Sequence, residues 1–77
     1  MNLKFANESS RASTYLVTAK AHFAAGQKAE AIEDCKLADT ASRAAISALT
    51  SDVSNEDRNY LDDIRAAIQQ VRETASS

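Results

Sequence analysis

The sequence predicts an all-α protein, a three-helix antiparallel bundle in up-down-up order, and three observations carry that prediction. The 77 residues contain no proline and one glycine, Gly26, so the usual punctuation of hairpins and long loops is missing while abundant alanine favours helix. Apolar residues recur at steps of three and four in three separate stretches. Turn-like chemistry divides those stretches at Gly26 and again at Thr50-Ser51-Asp52-Val53-Ser54.

The first helix is expected over about residues 8–25. Ala12, Leu16, Ala19 and Phe23 form one face, with Phe5 ahead of them, and Asn7, Ser9 and Ser10 are all competent to cap by accepting from first-turn N–H groups. Gly26 suits the left-handed position that closes a helix. The second helix is expected over about residues 28–50, with Glu30, Glu33 and Asp34 near its start, where carboxylates favour the positive end of the helix dipole. One of its faces carries Ala31, Cys35, Ala38, Ser42, Ile46 and Leu49, with Ile32 at the margin. Another, about 130° away by helical geometry, carries Leu37, Ala41, Ala44 and Ala48. The third helix is expected over about residues 55–75. Ser54-Asn55-Glu56-Asp57 has the form of a capping box, in which the serine caps and the acid reaches back, and Leu61, Ile64, Ile68, Val71 and Ala75 make a heptad-like seam. The expected core is Leu16, Phe23, Ile32, Ile46, Leu49, Leu61, Ile64 and Ile68.

A chain this short has room for one domain with a small core, which makes oligomerisation a standing possibility. The net charge of −2, with both signs mixed along the chain, lacks the basic excess of a nucleic-acid binder. The opening residues lack the apolar run of a signal peptide, and nothing approaches a membrane span. With a lone cysteine, Cys35, this points to a cytoplasmic protein without internal disulfides, and Met1 with the polar Ser76-Ser77 end suggests a complete short gene.

Tyr15, Ala19, His22 and Phe23, then Gly26, then Ala31, Cys35 and Ala38 resemble a single tetratricopeptide unit over residues 12–40, about one repeat length. In that family small residues let two helices cross closely and aromatic residues fill the gap; here Ala19 and Ala31 match the first role, Tyr15 and Phe23 the second. Cys35 stands where a larger aromatic is usual, no proline ends the second helix, and there is no second copy. The overall plan, a hairpin followed by a third long helix, also resembles the MIT domain, a three-helix module that binds tails of partner proteins in its grooves. Both resemblances imply peptide or protein binding and assign no specific residue.

Catalysis finds little support. His22 and Cys35 are single residues of their types, far short of the four ligands of a zinc site or a polarised thiol nucleophile, so Cys35 is expected to be a core residue and no metal or cofactor is expected. The acidic pairs Glu33-Asp34, Glu56-Asp57 and Asp62-Asp63 point apart on a helix and do not converge. Two features remain as candidate partner-binding surfaces. The stripe Leu37, Ala41, Ala44 and Ala48 is either a packed internal seam or a surface for a second helix or a homodimer. Arg58, Arg65 and Arg72, seven residues apart, are either an exposed ion-pair face or a grip for an anionic partner. The expected function is a non-enzymatic protein-interaction module or adaptor that binds a helix or peptide of a larger protein. The alternatives are a small inhibitor or regulator of a host complex, of the kind phages and mobile elements encode, and a self-assembling structural subunit.

Overall fold

The computed structural model describes residues 2–77 and shows three helices, α1 (Leu3–Ala24), α2 (Lys28–Ser47) and α3 (Asn55–Ser76). The protein is an all-α three-helix bundle, and its described residues contain no strand. Two links fix α1 and α2 as antiparallel. Asn2, at the start of α1, donates its Nδ2–H to the carbonyl of Ala48 at the end of α2 (2.5 Å), and His22, near the end of α1, meets Asp34 in the second turn of α2. At one end of the bundle Phe5 near the start of α1 packs with Leu61 near the start of α3, so α1 and α3 run the same way. The order is up-down-up.

The α1–α2 turn follows from Gly26. Its φ of +79° lets the N–H of Gln27 reach the carbonyl of His22 (2.9 Å) and the N–H of Gly26 that of Phe23 (3.0 Å), which satisfies carbonyls the last helical turn leaves unpaired.

The start of α1 lies five residues ahead of the expected one. Asn2, and none of Asn7, Ser9 or Ser10, is the cap: its side chain accepts from the N–H of Phe5 (2.9 Å). α2 correspondingly ends earlier, at Ser47. At α3 half of the capping box forms. Ser54 Oγ accepts from the N–H of Asp57 (3.1 Å), and the expected return bond from the Asp57 carboxylate is not made.

Side-chain size decides the packing. The buried seam of α2 is small throughout, Ala31, Cys35, Ala38, Ala41, Ser42 and Ala45, so its neighbours approach closely. α1 contributes Phe5, Ser9, Ala12, Leu16 and Ala19, and α3 brings in Leu61, Ile64 and Ile68. One cluster joins Ala12, Leu16, Ala19, Cys35, Ala38, Ala41, Ile64 and Ile68; a second, at the end where α1 and α3 begin, joins Phe5, Ala45, Val53 and Leu61.

Four expected core residues are buried, Leu16, Leu61, Ile64 and Ile68, while Phe23, Ile32 and Leu49 are half-buried and Ile46 is 39% exposed. The reason at Ile46 is helical drift. A step from Ser42 to residue 46 carries the row about 40° off the seam, whereas a step of three returns to it, and Ala45 takes the core place. Val53, assigned by its polar neighbours to the turn, is buried and plugs the second cluster.

Candidate functional site

The α2–α3 connection is held by a polar cluster that includes one of the candidate arginines. Arg58 donates through Nη2 to the carbonyl of Thr50 (2.9 Å) and through Nε to that of Val53 (3.3 Å). The Thr50 hydroxyl donates to the Asp52 carboxylate and accepts from Asn2 Nδ2 (3.0 Å). That hydroxyl holds the Asp52 carboxyl below its ordinary range. Arg58 is thus committed to the loop, and Arg65 turns to α2, 3.9 Å from Asp39, which also takes Arg43 Nε at 2.9 Å. Of the three guanidinium groups, only that of Arg72 has no hydrogen-bond or ion-pair partner among the described residues. The three arginines therefore do not form one free cationic edge: a seven-residue repeat fixes their direction on the helix, but the carbonyls and carboxylate offered by neighbouring segments decide what each one holds.

The alanine stripe of α2 is divided as well. Ala41 is in the core, Ala44 is half-buried, and Leu37 is 42% exposed. These three line a groove of about 110 Å³ between α1 and α2, whose other side is Glu8, Arg11 and Tyr15, with Thr40 completing it. Ala48 lies outside that groove, against the second core cluster. Of the two readings of the stripe, Ala41 follows the packed seam: it lies in the core cluster with Leu16, Ile64 and Ile68, whose larger side chains fill the volume around it. What remains at the surface is a short groove with an alanine floor, a tyrosine wall and an exposed leucine. Its polar rim is the Arg11–Glu8 pair (3.4 Å). The Arg11 pKa is raised above its ordinary value, first by the Tyr15 hydroxyl and then by Glu8, so the rim keeps its positive charge.

Cys35 is fully buried, and that burial, reinforced by the neighbouring Asp34 and opposed by Arg72, pushes its thiol pKa up. This disfavours the thiolate that nucleophilic chemistry requires. His22 is engaged by Asp34, with Nδ1 to Oδ2 at 2.5 Å, a hairpin link that the sequence analysis did not identify. Its signal was available: a histidine in the last turn of one helix and an acid in the second turn of the next face each other across a three-residue turn.

A second groove, of about 290 Å³, runs between α1 and α3 and was not anticipated. α1 lines it with Phe5, Ala6, Ser9, Ser10, Ser13 and Thr14; α3 adds Asp57 and Tyr60. Of the four hydroxyl residues on α1 that line it, the sequence marks Ser9 and Ser10 as potential helix caps and gives Ser13 and Thr14 no role.

No protein-family model, curated protein or solved structure matches the chain. Fold and grooves define a small three-helix protein with clefts between its helices.

Proposed function

We propose that this chain is a non-enzymatic interaction module that docks a helix or extended peptide of a larger protein in the α1–α2 groove, as its tetratricopeptide-like and MIT-like features imply. The observation that carries the reading is Leu37, an exposed leucine beside a floor of Ala41 and Ala44 and opposite Tyr15. Small floor residues let a partner backbone come close, the leucine and tyrosine offer apolar area, and the Arg11–Glu8 rim supplies polar orientation. An adaptor and a small inhibitor would use such a groove alike; they differ in what the bound protein then does.

The test places a photo-crosslinking residue at Leu37 and, as control, at Val17, which is exposed on α1 outside this groove. In extracts of cells that make the chain, the first position is expected to give a discrete adduct with another protein and the second is not. Adducts between copies of this chain alone would replace docking with self-assembly. Equal labelling from both positions would remove the groove from consideration.

A further inference from the structure

We propose that the outer face of α1 pairs with the same face of a second copy of this chain, antiparallel, about a twofold axis at Ser10. Of the large hydrophobic side chains described, Leu3 and Val17 are the most exposed, at 63% and 64%. Each stands seven residues from Ser10, close to two helical turns, so the three share one row along α1. Antiparallel pairing about Ser10 sets Leu3 against Val17 of the second copy, Ala6 against Thr14, Asn7 against Ser13, and Ser10 against itself. An aliphatic pair then closes each end of the contact, and the small residues between let the two backbones approach. The Ser10 hydroxyl has no hydrogen-bond partner among the described residues. Being donor and acceptor at once, it can bond its counterpart across the axis.

Charge selects a second copy as the occupant. A twofold contact sets a patch against itself, so a charged face meets its own charges. The solvent side of α3 carries Glu56, Asp62, Asp63 and Glu73 and would repel its copy. The row on α1 holds no charge, although 26% of the chain is charged. Glu8 and Arg11 line the α1–α2 groove instead, Lys4 stands one turn before Glu8 on that side, and Lys20 lies past Val17 at the end of the row. The 22 residues of α1 give a face about 33 Å long. A strip one helix wide then covers roughly 700 Å² over both copies, short of the ~1,000 Å² of a stable interface. Tyr60, half exposed on the groove that Ser10 and Ser13 border, widens the contact. The dimer is therefore weak, with Kd on the order of 100 µM. It dissociates at the dilution of a cell extract, so Val17 remains a control for crosslinking, and it leaves the Leu37 groove open on the other side of α1.

The experiment is sedimentation equilibrium of the full chain from about 10 µM to about 1 mM, a span that brackets the expected Kd. Wild type should pass from monomer to dimer over that range and go no further, because a twofold contact closes on itself. Residue 10 meets its own copy only if the axis lies there, so two substitutions locate it. Ser10→Glu and Ser10→Lys, both good helix formers at an exposed position, should each melt like wild type and stay monomeric, because like charges face each other. An equimolar mixture of the two should form a mixed dimer at least as tight as that of wild type. Val17→Thr keeps the side-chain shape and should weaken the dimer about tenfold by removing apolar contact at both ends. The proposal is overturned if wild type stays monomeric at about 1 mM, if either Ser10 variant dimerises alone like wild type, if the mixture does not associate, or if Val17→Thr dimerises like wild type.

Discussion

Single residues at the ends of helices hold this bundle in register. Asn2 performs two tasks, capping α1 through Phe5 and tying the end of α2 through Ala48. Asn2→Ala should therefore cost about 1–2 kcal/mol, the upper part of the range for a lost cap, read as a shift in urea midpoint. Gly26→Ala meets no atom within 4 Å, so its penalty is the left-handed backbone alone. That amounts to about 1–2 kcal/mol. Cys35 makes a pH-dependent contribution whose sign follows from its raised pKa. The folded chain resists ionising a buried thiol, while the unfolded thiol ionises near about pH 8.5. Its contribution is present in full below that value and is lost as pH rises through the folded pKa. Urea melts from neutral pH upward should show wild type losing stability relative to Cys35→Ala above about pH 8.5, and parallel curves for the two proteins would contradict this.

At the scale of elements, the seams show what periodicity reveals and what it leaves open. The α3 seam of Leu61, Ile64 and Ile68 was legible because large aliphatics at steps of three and four among polar neighbours admit one orientation. α2 was less legible: alanine is present on several sides, and no local signal ranks Ala45 above Ile46. The structure ranks them by burial, since Ala45 is fully buried in the cluster of Phe5, Val53 and Leu61 while Ile46 faces outward. Ala45→Leu should overpack this cluster at a cost of about 1–3 kcal/mol, and Ile46→Ala, on the exposed side, should have a smaller effect. Ile64→Ala and Ile68→Ala should each cost about 2–5 kcal/mol. Thermal melts of these four variants separate the observed seam from the expected one, and an Ile46→Ala loss equal to that of Ile64→Ala would reject it. Asn2 was missed for a related reason. The four-three alternation of α1 extends back through Ser9 to Phe5, but an isolated serine and phenylalanine do not mark a helix until their tertiary partners are known.

At the scale of the whole molecule, function depends on relations between helices, and this is where sequence reasoning ran out. Leu37, Ala41 and Ala44 were legible as a stripe, but the α1 side of their groove, with Glu8, Arg11 and Tyr15, follows only from how α1 and α2 cross. The α1–α3 groove is illegible for the same reason: Ser9 and Asp57 are far apart in the chain and gain meaning only when they line one cleft. No described helix is long and apolar enough to cross a membrane. The central claim, that the α1–α2 groove docks another protein through Leu37, is tested most directly by photo-crosslinking from Thr40 on that groove in wild type and in Leu37→Glu. A surface change of this kind should alter stability by only about 0.5 kcal/mol, so the account predicts that the variant melts like wild type and loses the wild-type adduct. An adduct that persists undiminished in a folded Leu37→Glu variant would contradict it.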